Sequence, residues 1–342
     1  MEIFTITNLK RAVQEGRVEA RIHAQVESLV KKETRENKPF YELTLADAQA
    51  KLMLRAWSDS PNFALCSDLV AGHFVEVSGD FTHNSNFGVE SKRWTLKFLN
   101  DKERDALLAG PPELREKQGD DFEFIRKSVS ETGDPRLRAL AELFLKDFGD
   151  RFRRSAAARG NHHARRGGLV EHVAQMMRAA VAVSSVYTML NRDLLVAGVL
   201  FHDCGKLWEN ALPEDGFAMP FDERGELLGH ISIGAEVVNA LWRKLFATDE
   251  AKAWAALQPA SEDVRLHLLH LIVAHHGELQ FGSPAVPKTP EAQALHYIDN
   301  LDAKMEMFAV GYEKASALAP RIFERVWPLP GNLVTPLAKF SS

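Results

Sequence analysis

The chain has 342 residues, of which 45% are hydrophobic and 26% charged, with a formal net charge of −5. That length calls for more than one domain, and that charge excludes a protein held to nucleic acid by bulk positive charge alone. No apolar run approaches the roughly 20 residues of a membrane span, Met1–Thr5 lacks a signal-peptide pattern, and two distant cysteines, Cys66 and Cys204, make no disulfide framework; a cytoplasmic protein without a membrane partner is expected.

Residues 1–100 read as strands. Val18–Val26 and Tyr41–Leu45 alternate apolar and polar side chains, and residues 51–57, 74–79 and 93–98 continue the pattern. Five short strands suit a small closed β-barrel, and the OB-fold has that strand count. Phe40, Tyr41, Trp57 and Trp94 are candidate platforms for stacked bases, with Tyr41 and Trp57 preferred; the competing reading is that they fill the barrel. Through Asn100 there are 13 basic and 13 acidic residues, so the barrel is not basic.

Residues 101–158 turn helical and charged, broken at Gly110-Pro111-Pro112 and again at Gly133-Asp134-Pro135, and read as a helical connector. Arg151, Arg153, Arg154, Arg159, Arg165 and Arg166 then fall in a stretch without an acid. Such a run is either a solvated face or a phosphate-contacting patch. Residues 159–323 read as an all-α domain and hold ten of the 13 histidines; residues 324–342 are an uninformative tail. The fold class expected is multidomain α+β, a small barrel followed by a helical bundle.

Within the helical part, Leu195–Phe201 is apolar enough for a buried helix, yet it leads into His202, Asp203 and Lys206. Asp193 is expected to cap this helix, and a continued helix would put Lys206 over the face of His202 and Asp203. Burying these ionisable groups is costly unless their charge is compensated, and a divalent cation does so with neutral histidine and carboxylate as ligands. His172, His230, His275, His276 and Asp299 likewise lie in or beside apolar segments. Imidazole and carboxylate without thiolate suit Mn²⁺, Co²⁺, Fe²⁺, Ni²⁺ or Zn²⁺. A helix with Thr289 as N-cap and Pro290 at its first position is expected to carry Asp299.

The order His172, His202-Asp203, Asp299 resembles the signature of HD-domain metal-dependent phosphohydrolases. Further blocks narrow it: His162-His163-Ala164, Gly167-Gly168-Leu169, Leu228-Gly229-His230-Ile231, His275-His276-Gly277-Glu278, Pro287-Lys288-Thr289 and Leu295–Met305. Together they resemble the YhaM family of 3′-to-5′ exoribonucleases, which place an OB-fold before an HD domain. Arg165-Arg166 depart from the family's pattern, which has a tyrosine and an apolar residue there. The resemblance implies two cations, Mn²⁺ foremost, held by His172, His202, Asp203, His230, His275, His276 and Asp299. It implies Asp203 and Lys206 as catalytic residues, with His163, Arg165, Arg166 and Lys288, joined by Tyr41 and Trp57, toward the substrate. It makes single-stranded RNA, or single-stranded DNA, the partner, with a homo-oligomer as one form of the protein. Asp302, one turn beyond Asp299, and His296 are expected to support ligands. The competing activities are an HD phosphohydrolase of nucleotides or cyclic dinucleotides, regulated by the barrel, and a non-catalytic RNA-binding module.

Overall fold

The computed structural model describes residues 2–84, 88–160 and 163–340. The chain forms two compact units: Met1–Arg115 with Leu212–Ala218 and Ser316–Pro320, and Glu116–Ala211 with Met219–Ala315 and Arg321–Ser342. Among the described residues no helix is long and apolar enough to cross a membrane.

The first unit is built on an antiparallel sheet. Its elements are β1 (Ile3–Phe4), α1 (Ile6–Glu15), β2 (Val18–Glu33), β3 (Pro39–Ala46), β4 (Lys51–Trp57), α2 (Asn62–Leu65), β5 (Phe74–Asn84), β6 (Gly88–Glu90), β7 (Trp94–Phe98) and α3 (Asp101–Ala109). The 16-residue β2 serves both halves of the sheet: Val18–Gln25 pair with β5, and Gln25–Glu33 pair with β3. A bulge between Val26 and Ser28 bends it where the partner changes. Strand order is β4-β3-β2-β5-β6, with β1 on β2 and β7 on β5. The alternation read from the sequence holds: Ile22, Leu43, Leu45, Leu52, Leu54, Val75 and Val77 all point into one apolar core.

The barrel expected from strand count is not closed. Among the described residues no ladder joins β4 to β6 or β7. Helix α2 occupies the interval instead. The Asn62 carboxamide there donates to the Trp94 carbonyl at 2.8 Å and accepts from the Trp94 indole Nε1 at 2.9 Å. A side chain thereby satisfies a backbone carbonyl of β7 that a neighbouring strand would otherwise take.

The second unit is helical: α4 (Pro112–Ser130), α5 (Pro135–Arg154), α6 (Gly168–Val186), α7 (Arg192–Phe201), α8 (Lys206–Glu209), α9 (Glu223–Phe246), α10 (Ser261–Ala274) and α11 (Pro290–Lys314). The segment 101–158, read as a connector, is divided: α3 belongs to the first unit, whereas Ile125, Leu140, Phe144 and Phe152 of α4 and α5 share one core with Val173, Phe201, Ile272 and Ile298. The expected breaks at Gly110 and at Gly133–Pro135 are where helices end and begin. Thr289 caps α11 through Ala292 N, with Pro290 at the first position.

Candidate metal centre

Helix α7 carries the centre's first donors to the middle of the helical unit. Asn191, not Asp193, is its N-cap, accepting from Leu194 N at 3.0 Å. The Asp193 carboxylate is engaged elsewhere, by Asp134 N at 2.9 Å. The helix ends at Phe201, and a turn through His202–Gly205 leads into α8, so no continuous helix reaches Lys206. The lysine still meets its partner: Lys206 Nζ lies 2.6 Å from Asp203 Oδ2. A Cβ on Gly205 would lie 1.9 Å from the His230 carbonyl oxygen, so only glycine lets this turn pack on the start of the α9 segment that bears His230. Helix α9 itself breaks at Gly229, whose φ of 68° is a left-handed value, and His230 opens the part beyond.

Five imidazoles are oriented alike. Each Nδ1–H donates: His172 to Asp302 Oδ2 (2.7 Å), His202 to the Val199 carbonyl (2.8 Å), His230 to Glu209 Oε2 (2.8 Å), His275 to the Ile272 carbonyl (2.7 Å) and His276 to the Phe281 carbonyl (2.8 Å). In the neutral ring the bond at Nδ1 leaves Nε2 with its lone pair, the form in which histidine binds a cation.

The Nε2 atoms fall into two sets about Asp203. On one side His172 Nε2 is 3.3 Å from His202 Nε2, 3.7 Å from Asp203 Oδ2 and 3.4 Å from Asp299 Oδ1. On the other, His230 Nε2 and His275 Nε2 face Asp203 Oδ1 at 3.5 and 3.7 Å. His276 completes that second set, its ring 5.2 Å from that of His230. Asp203 Oδ1, His230 Nε2 and His275 Nε2 are buried without a hydrogen-bond partner. Each such atom costs about 1–3 kcal/mol unless compensated. Lone pairs aimed at one another are compensated by a cation, so the donor set fits divalent metal. A third cluster, His163, His172 and Asp302, is hydrogen-bonded within itself: both rings donate to Asp302 Oδ2, His163 Nε2 at 3.0 Å.

Charge is distributed to suit. Burial alone would raise Asp203, but the charges of Lys206, His202 and His230 outweigh it and hold the carboxylate well below its usual range. Asp299 is likewise held low, against its burial, by the His172 hydrogen bond and the charges of His202 and His172. Burial depresses His275, and so does the charge of His202; burial and the charge of His230 depress His276. Burial would also depress His172, but hydrogen bonds with Asp299 and Asp302 raise it to about 9. In the cation-free chain, then, a proton on His172 supplies part of the missing positive charge. Because its pKa is raised on folding, that proton stabilises the cation-free fold fully below about pH 6.5, and the contribution is lost as pH rises through about 9. A cation must displace it. Apparent affinity for Mn²⁺ should therefore rise with pH by about tenfold per unit between those values and level off above them. Titration calorimetry in buffers of differing ionisation enthalpy checks this; no proton release at pH 7.5 would refute it.

The other expected site residues are distributed as follows. His163 is buried on Asp302, and Arg165 is bound to Glu171 and Glu306, so neither sits at an open surface. Arg166 is half-buried, its carbonyl accepting from Gln118 Nε2. Lys288 is exposed, and its backbone N–H donates to His270 Nε2. His162 lies outside the described residues. The arginine run is half-buried apart from the exposed Arg153, and two of its members are held by backbone: Arg159 donates to the carbonyls of Glu209 and Pro220, and Arg151 to that of Leu207. His296 Nδ1 donates to the His275 carbonyl at 2.9 Å. In the first unit, Tyr41 points to the core side against Phe63 and Trp94 is buried, which leaves Phe40 and Trp57, centroids 4.7 Å apart, on the outer face. Glu209, behind His230, and Glu306, one turn beyond Asp302, escaped the sequence reading; only the i, i+4 spacing of Asp302 and Glu306 could have signalled the latter.

Residues 169–304 match the family model described as the HD domain. The interval contains every donor of the two sets, and the chain accordingly carries an HD domain, the module of metal-dependent phosphohydrolases.

Proposed function

We propose that the protein is a two-cation phosphodiesterase that removes nucleotides from the 3′ end of single-stranded RNA. The observation that supports this most is Asp203, one carboxylate whose two oxygens face separate sets of imidazoles. When bound, a cation pair would supply Lewis acidity at a phosphoryl oxygen and a water acidic enough to attack at neutral pH. His172, His202, Asp203 and Asp299 would hold one ion, and Asp203, His230, His275 and His276 the other. Mn²⁺ is the preferred occupant, since two carboxylates in the first set favour a hard ion. Lys206, a buried ammonium beside Asp203, stabilises negative charge on the scissile phosphate or on the leaving oxygen. The bent antiparallel sheet is an OB-type strand holder, with Phe40 and Trp57 as the stacking pair.

The test is incubation of the protein with RNA labelled at the 3′ or the 5′ end, single-stranded DNA, nucleotides and cyclic dinucleotides, with Mn²⁺ and with excess EDTA. Stepwise shortening of 5′-labelled RNA, with mononucleotide released first from the 3′-labelled end and no product in EDTA, is expected. Hydrolysis of nucleotides or cyclic dinucleotides with RNA left intact would replace this reading by that of a small-molecule phosphohydrolase.

A further inference from the structure

Behind His172 lies a chain of buried charges. Asp302 Oδ2 takes the Nδ1–H of His172 and the Nε2–H of His163. His163 Nδ1 lies 3.9 Å from Glu306 Oε1. Arg165 closes the arrangement: Nη1 donates to Glu306 Oε1 at 2.7 Å, while Nε and Nη2 donate to the two oxygens of Glu171 at 3.1 and 2.6 Å. Glu171 is the residue before His172 and is 1% exposed. Gln118 Nε2 and Lys117 Nζ also reach it, at 2.9 and 3.1 Å. Glu171 and Asp302 stand on α6 and α11, the two helices that also bear His172 and Asp299.

We propose that Arg165 is a positioning residue for the metal centre, tying α6 to α11 through Glu171 and Glu306 so that Asp302 holds the His172 ring with Nε2 toward the cation. Its guanidinium reaches two carboxylates on different helices at once. A planar fork with several fixed donors can do this, and a lysine ammonium on a single flexible stem reproduces it only in part. Both carboxylates are buried or nearly so, and the arginine is largely enclosed, so the side chain is committed to the fold and cannot also reach a strand. The inference rests on the metal reading of the centre and is independent of which phosphodiester is cut.

The experiment uses the full-length protein with Co²⁺ alone as probe, read by visible absorption and by competition with a chelator. Arg165→Met should weaken Co²⁺ binding by about tenfold or more, the range found for groups that orient ligand histidines, and should alter the absorption bands of bound Co²⁺. Arg165→Lys should recover part of the affinity. In steady state kcat should fall with KM for the strand unchanged, and the salt dependence of strand binding in EDTA should keep its slope. Wild-type Co²⁺ affinity and bands in Arg165→Met, with a salt slope shallower by about one, would overturn the proposal and make Arg165 a phosphate contact. Should Arg165→Met fail to fold, Glu306→Ala carries the same test, since it removes the acceptor of one arm of the tie and leaves the Glu171 pair in place. Unchanged Co²⁺ affinity in that variant would overturn the proposal equally. Failure of the wild type to bind Co²⁺ would instead overturn the metal reading and the inference with it.

Discussion

Asp203→Asn should lower hydrolysis by about a thousandfold or more while leaving the helical unit folded. The two oxygens of Asp203 face different imidazole sets, so the amide removes negative charge from both sets and turns an N–H₂ toward one of them. Lewis-acid stabilisation of a phosphoryl transition state is worth several kcal/mol, and losing about 4 kcal/mol is about a thousandfold in rate. Asparagine keeps the shape of the side chain and an acceptor for Lys206, a residue that is 9% exposed. Alanine would strand that ammonium and open a gap as well, so asparagine separates chemistry from folding. The cost in stability is expected to be about 1–3 kcal/mol, a lowered melting temperature rather than an unfolded chain. Activity is to be compared with circular dichroism on the same samples. A variant within tenfold of wild type would show that Asp203 is not the shared ligand.

Phe40→Ala with Trp57→Ala should weaken binding of single-stranded RNA by about thirtyfold or more without changing the rate on a small activated diester such as bis(p-nitrophenyl) phosphate. The two rings sit on the outer face of β3 and β4, opposite each other in register, and Trp57 is 43% exposed. Each base stack is worth about 1–3 kcal/mol, and losing about 2 kcal/mol in all is about thirtyfold in affinity. Charge on this face is largely neutralised, because Lys32 and Arg55 both pair with Glu42. The holding force is therefore stacking, and the lost affinity should be nearly independent of salt. Binding measured by anisotropy at two salt concentrations decides it. Unchanged affinity would remove the sheet from strand binding and favour the small-molecule phosphohydrolase.

How much of this was legible in the sequence differs from residue to residue. The oddity of His202, Asp203 and Lys206 after an apolar run pointed directly at the centre, because few arrangements make buried charge affordable. Thr289-Pro290 and the proline-glycine breaks were legible for a local reason: caps and breaks are decided within a few residues. Asp193 was misread because asparagine and aspartate cap equally well, and the choice of Asn191 depends on Asp134, which is distant in sequence. The closed barrel failed on another non-local fact, the Trp94 carbonyl taken by Asn62. Arg165 and Arg159 looked like a phosphate patch because their partners, Glu171, Glu306 and the carbonyls of Glu209 and Pro220, become visible only when distant segments meet.

The donors of both sets rise from helices that share a single apolar core, with Val173, Phe201, Cys204, Ile272 and Ile298 beside them, while the sheet has a separate core of its own. The arrangement of donors is then a property of one cooperative unit and is gained or lost with it, not ligand by ligand. By mass action every cation bound at a hundredfold over its dissociation constant adds about 2.7 kcal/mol to the stability of that unit. The sheet receives none of this directly, so the metal content of the surroundings acts as a selective stabiliser of the larger, helical unit.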